Sequence, residues 1–155
     1  MERIASFTVD HTVLVPGIYL SRRDGHVVTF DLRFKKPNTG DLLSNAEMHS
    51  VEHLFATFLR NSAQKDAVIY FGPMGCQTGF YFLFDENKLS CAEAIELLKT
   101  VSSQTAVYEG PMPGYSAVEC GNYINLDTEL AKSCAAYYSG IIANWTEADL
   151  VYPAK

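Results

Sequence analysis

No apolar run reaches the roughly 18 residues that a membrane-spanning helix needs, so no transmembrane segment and no membrane partner are expected. The first residues, Met1-Glu2-Arg3-Ile4-Ala5-Ser6, lack the charged-then-apolar order of a secretory leader. The expected compartment is therefore the cytoplasm. Excess positive charge is missing too. Twelve Lys and Arg stand against 18 Asp and Glu, for a net charge of −6. A nucleic-acid backbone requires a basic face, so nucleic acid is not an expected partner. Repeats, low-complexity tracts and linkers are also absent. What remains is a chain of 155 residues, 48% apolar, which is enough for one real core. A single domain over 1–155 is expected.

Cysteine is scarce. In a reducing compartment Cys76, Cys91, Cys120 and Cys134 are expected as thiols. Cys91 and Cys134 fall among apolar residues of helical pattern, where a thiol acts as a small hydrophobe. Cys76 and Cys120 are glycine-flanked and turn-like, free to point into a site.

The periodicity predicts helices over 45–61, 91–103 and 128–144. Ser44 with Glu47, and Ser90 with Glu93, have capping-box spacing, and Asp127 suits an N-cap. Met48, Val51, Phe55, Phe58 and Leu59 form the apolar stripe of the first helix. Strands are predicted over 6–9, 26–35, 68–72 and 79–84, with a fifth candidate at 106–109. In the second of these, Val27, Thr29, Asp31 and Arg33 alternate with Val28, Phe30, Leu32 and Phe34. Pro111, Pro113 and Gly114 mark a loop before Cys120. An α+β fold follows, an antiparallel sheet with helices packed on one face.

The chemistry concentrates in His49-Ser50-Val51-Glu52-His53. On a helix the two imidazoles lie one turn apart on one face, and H-x-x-E-H is the reverse of the zincin order. The bland reading is a pair of core-edge histidines with no metal. The sharper one is a metal site that needs a third ligand, with Cys120 the better candidate and Cys76 the second. Two His and one Cys leave a fourth position open, as catalytic rather than structural sites do. Glu52 is then either a solvated carboxylate or a proton shuttle beside the metal. Cys76, in Gly72-Pro73-Met74-Gly75-Cys76-Gln77-Thr78-Gly79, is either a structural Cys in a tight turn or a thiolate base. The three glycines there suit positive φ and close backbone approach.

These motifs together resemble the S-ribosylhomocysteine lyase (LuxS) family, synthases of the autoinducer-2 precursor. The residues that carry the resemblance are His49-Ser50-Val51-Glu52-His53, Pro73-Met74-Gly75-Cys76-Gln77-Thr78-Gly79-Phe80-Tyr81 and Cys120-Gly121-Asn122. Ser6-Phe7-Thr8-Val9-Asp10-His11 and Asp31-Leu32-Arg33-Phe34-Lys35-Lys36-Pro37-Asn38 extend it over nearly the whole chain. The resemblance implies a four-stranded antiparallel sheet backed by helices, and a homodimer with active sites at its interface. It implies a divalent metal on His49, His53 and Cys120, ferrous iron in the active form, with zinc or cobalt also accepted. It implies cleavage of S-ribosylhomocysteine to homocysteine and 4,5-dihydroxy-2,3-pentanedione by carbonyl migration and β-elimination. Cys76 and Glu52 are then the proton shuttles. Ser6, His11 and Arg33 surround the sugar, Ser6 and His11 coming from the partner subunit.

The chain departs from the family pattern at Tyr70, where relatives carry an acid, at Gly72, at Val118-Glu119 and at Leu126. Two other readings stand beside the lyase. One is a paralogue that binds metal and ligand without turnover. The other is a metallopeptidase of the H-x-x-E-H type, for which the chain is short and a Cys ligand unusual.

Overall fold

The computed structural model describes residues 1–154. Four strands, β1 (Gly17–Asp24), β2 (Val27–Arg33), β3 (Val68–Pro73) and β4 (Gly79–Asp85), form one antiparallel sheet in the order β1-β2-β4-β3. Three helices, α1 (Asn45–Arg60), α2 (Cys91–Ala106) and α3 (Thr128–Ile142), pack on it. The expected α+β class with a four-stranded antiparallel sheet is what forms.

Each helix starts where its cap residues stand. Ser44 Oγ accepts the Glu47 N–H at 3.1 Å while Glu47 Oε1 accepts the Ser44 N–H at 2.9 Å. Ser90 and Glu93 repeat both bonds at 3.1 Å. Asp127 accepts the Glu129 N–H at 2.9 Å. These bonds satisfy donors that no helical carbonyl reaches.

The alternation in β2 splits the sheet into two faces. Val28, Phe30 and Leu32 lie opposite Phe84, Phe82 and Phe80 of β4, all fully buried in one core with Leu54, Phe55 and Leu98 of the helices. Phe34 stacks on the Tyr138 ring at 3.8 Å, and the Tyr138 hydroxyl donates to the Gly17 carbonyl at 2.8 Å. Trp145 Nε1 donates to the Ile18 carbonyl at 2.8 Å, so α3 and the turn after it are tied to β1. Thr29, Asp31 and Arg33 face the other way, yet they too are buried. That outer, polar face is where part of the site is built.

Three expectations fail. Residues 6–9 are not a strand. Ala5–Phe7 is a short 3-10 helix, closed by the Phe7 N–H to Ile4 and Thr8 N–H to Ala5 carbonyl bonds. Residues 106–109 are not a strand either, because α2 runs on through Ala106. β1 was not expected. Its alternation is interrupted by a register shift between Leu20 and Arg22, and such a bulge breaks the period-2 signal.

Candidate metal centre and thiol cavity

His49 and His53 stand edge to face on α1, with ring centroids 4.6 Å apart. Cys120 arrives from the loop between α2 and α3, where the Ser116 carbonyl accepts its N–H at 3.0 Å. Its Sγ lies 3.3 Å from His49 Nε2, and the ligand atoms of His49, His53 and Cys120 all lie within 4.8 Å of one another. Nitrogen and sulfur ligands at about 2.0–2.3 Å from a tetrahedral ion stand roughly 3.3–3.8 Å apart. The trio therefore fits a divalent ion after small side-chain movements.

The rings are held from behind. His49 Nδ1 donates to Asn125 Oδ1 at 2.6 Å, and His53 Nδ1 donates to the Pro113 carbonyl at 2.8 Å. Both partner atoms are oxygens that accept, so each Nδ1 carries a proton and Nε2 is the nitrogen left to face a metal. Ser50, fully buried, accepts the Asp127 N–H at 2.9 Å and so anchors the start of α3, with Asn125 just ahead of it, against α1. Gly114 completes the mount. Its φ is +71°, and a Cβ there would sit 3.0 Å from the His53 ring. Neither Asn125 nor the Pro113 carbonyl was singled out in the sequence. A carbonyl has no residue-type signature, and Asn125 is 76 positions from its partner.

A second constellation forms on the outer sheet face. Ser6, His11, Arg33 and Cys76 line one cavity of about 670 Å³, with Thr78 and Tyr81. Arg33 is almost fully buried. Its Nε and Nη2 donate to the two Asp31 carboxylate oxygens at 3.1 and 2.6 Å, and Nη1 donates to Thr78 Oγ1 at 2.7 Å and reaches Cys76 Sγ at 3.8 Å. Cys76 Sγ is itself 3.1 Å from Thr78 Oγ1. Burial works against the guanidinium charge, but Asp31 outweighs it and the Arg33 pKa is raised. Burial, then Asp31, also pushes the Tyr81 phenol up, so it stays a neutral hydroxyl facing the cavity.

The loop carrying Cys76 is shaped differently from expectation. The positive φ falls on Gln77, at 64°, and not on Gly72, Gly75 or Gly79. Gln77 Nε2 donates to the Leu43 carbonyl at 2.9 Å, and the Leu43 N–H returns a bond to the Gln77 carbonyl at 2.9 Å. Gly79 serves close approach instead, since a Cβ there would collide with the Leu32 carbonyl of β2.

The structure thus brings the metal trio together and, separately, brings Ser6, His11, Arg33 and Cys76 together. His49, His53, Cys120 and Glu52 are not among the residues lining the Cys76 cavity. Glu52 is half-buried on α1, next to His53 in sequence, and is not one of the clustered ligand groups. Tyr70 is exposed and lines a neighbouring hollow with Ser6 and Tyr81. Cys91 and Cys134 are buried as expected, and burial, aided by Glu47, pushes the Cys134 thiol up to about 12.

An antiparallel sheet packed with three helices, a His-His-Cys trio on one helix and one loop, and a thiol in a polar cavity define an α+β protein with a group that could hold a divalent metal. Residues 4–148 match the family described as S-ribosylhomocysteinase (LuxS). The chain is 46% identical to the S-ribosylhomocysteine lyase of Clostridium beijerinckii over 159 residues, covering 99% of each. It is 45% identical to that of Finegoldia magna over 157 residues, again 99% of each. It is 46% identical to that of Desulfotalea psychrophila over 160 residues, 99% of this chain and 100% of the relative. The chain belongs to the S-ribosylhomocysteinase (LuxS) family.

Proposed function

We propose that this chain is a cytoplasmic, single-domain, metal-dependent lyase that splits S-ribosylhomocysteine into homocysteine and 4,5-dihydroxy-2,3-pentanedione. The observation that carries this is the meeting of His49, His53 and Cys120 around one point, in a chain whose full-length relatives bear that activity's name. Two imidazole nitrogens and a cysteine sulfur suit ferrous iron, zinc or cobalt, with ferrous iron the proposed active form.

A divalent ion on the trio supplies Lewis-acid polarisation of the sugar carbonyl, which acidifies the neighbouring C–H bonds. The rest falls to side chains. Cys76 as thiolate and Glu52 as carboxylate take protons from carbon and return them to the next position, so that the carbonyl migrates along the chain. Each migration is an internal redox step and needs no outside oxidant. In the last step a proton leaves the carbon beside the carbonyl and its electron pair forms a C=C bond. The C–S bond breaks with its pair on sulfur, which takes up a proton as homocysteine departs. The remaining enol rearranges to the diketone. Arg33 offers a charged donor to the Cys76 sulfur, and Ser6 and His11 offer polar atoms to sugar hydroxyls.

The active unit we propose is a homodimer in which the Cys76 cavity of one protomer closes over the metal centre of its partner. Two features support it. The two half-sites are separate within one chain, and large apolar residues stand exposed in each. Phe7 and Leu42 flank the cavity, and Val118 and Ile124 lie near Cys120 and Asn125 in sequence. Such patches mark contact surfaces.

Incubating iron-loaded protein with S-ribosylhomocysteine and titrating released thiol tests the reading. Thiol release is expected from the wild type and not after chelation. Cys76→Ala and Glu52→Ala are expected to bind metal with turnover reduced at least about a hundredfold. Full activity in either variant, or no thiol above the metal-free control, overturns it.

A further inference from the structure

The last residues of the chain lie beyond the 4–148 that match the family, yet one of them reaches the Cys76 cavity from behind. Tyr152 stacks on Tyr19 of β1, with centroids 5.0 Å apart and planes within 16°. Its hydroxyl donates to Asp31 Oδ2 at 2.8 Å. That oxygen also accepts Arg33 Nη2 at 2.6 Å, while Oδ1 accepts Arg33 Nε at 3.1 Å. Nη1 of the same guanidinium faces Thr78 Oγ1 and Cys76 Sγ.

We infer that Tyr152 is a positioning residue. It fixes the Asp31 carboxylate, and through it the orientation of the Arg33 guanidinium against the Cys76 sulfur. The proposal rests on the role given to Cys76 above. Asp31 and Arg33 are each 2% exposed, so water cannot take the place of a lost partner. Arg33 is itself tied to Thr78 Oγ1 through Nη1, and Asp31 to Arg33 by two bonds. The third bond to the carboxylate, from a ring clamped on Tyr19, fixes its plane. Burial, and then Asp31, push the Tyr152 phenol well up, so the hydroxyl remains a donor across the working pH range. The other titratable groups facing the cavity are Tyr81 from β4 and His11 from the N-terminal segment, and Tyr152 touches neither in the hydrogen bonds it makes to Asp31 and Ser21.

The test reads Cys76 without substrate, so its outcome is independent of whether the chain proves to be a lyase. The full-length protein is alkylated with iodoacetamide across pH 5.5–9, and the peptide carrying Cys76 is followed by mass. In Tyr152→Phe, which keeps the ring and loses the hydroxyl, the alkylation midpoint is expected to move to higher pH. The rate near neutral pH should fall about two- to fivefold, the scale of one lost hydrogen bond, with Tm close to wild type. Tyr152→Leu is expected to give the same profile with a lower Tm. A Tyr152→Phe profile that superimposes on wild type overturns the proposal. So does a shift seen in Tyr152→Leu alone, which would make the ring mere packing.

Discussion

In the proposed metal site, His49 and His53 depend on the nitrogens that point away from the ion. An imidazole whose Nδ1–H is engaged is fixed in rotation and in tautomer, and its Nε2 is then a directed lone pair. Asn125 does this for His49 at 2.6 Å. Asn125→Ala is expected to leave the fold intact and weaken Zn2+ or Co2+ binding about 10- to 100-fold, read by competition with a chromophoric chelator. Asn125→Asp, which keeps the acceptor, is expected to bind near the wild-type level. Equal affinity in all three proteins would show that the helix alone orients the ring. The clustering of the trio's residues was legible in the sequence because helical spacing converts four residues into one face, and because Cys120 stood beside Gly121 in a turn-like stretch. Their supports were not legible. The Pro113 carbonyl is available in any chain, and Asn125 becomes a partner only once Ser50 has drawn the start of α3 onto α1. The Asp31–Arg33 pair lies between these cases. Its i, i+2 spacing on an alternating strand put both side chains on one face, but nothing in the spacing announced Tyr152.

The elements that announced themselves were those with local chemistry at their ends. α1 and α2 begin where Ser-x-x-Glu stands, because the reciprocal bonds are made within four residues. The sheet depended on longer-range pairing and was read less well, with β1 missed at its bulge and a 3-10 turn taken for a strand. α1 also carries a pH signature. Partial burial disfavours the Glu47 charge. The Ser44 N–H and hydroxyl and the Cys134 thiol, at 3.2 Å, outweigh that and hold the carboxyl below its ordinary 4.5. A group lowered on folding stabilises the protein above its unfolded value, and that stabilisation is lost as pH falls through the folded value. Glu47→Gln, which keeps the capping-box oxygen and loses the charge, is therefore expected to cost a few tenths of a kcal/mol, up to about 1 kcal/mol, at pH 7. The gap to wild type in urea melts should narrow steadily below about pH 4.5. A gap that stays constant down to pH 3 would mean that the carboxylate charge contributes nothing.

At the scale of the whole molecule the question is why the proposed chemistry, which needs Glu52, Cys76 and a metal, should leave Cys76 in a cavity that the His-His-Cys trio does not line. The proposed homodimer answers it. A C2 axis would place the same patch of each chain against the other, so one protomer's cavity would meet its partner's His-His-Cys trio twice over, and the exposed apolar residues of both patches would be covered. No pattern in a single chain encodes such an arrangement, since the contacts lie between copies. It has a sharp consequence for mixed dimers. Cys76→Ala and His49→Ala are each expected to be inactive alone. When the two are mixed and allowed to exchange subunits, half the dimers become hybrids. In each hybrid one site carries both lesions and the other carries neither. About a quarter of wild-type specific activity should return. If each site were instead built within one chain, every site in the hybrid would carry one lesion and no activity would return. Thiol release from the exchanged mixture, with subunit exchange followed by native mass spectrometry, decides between the two arrangements.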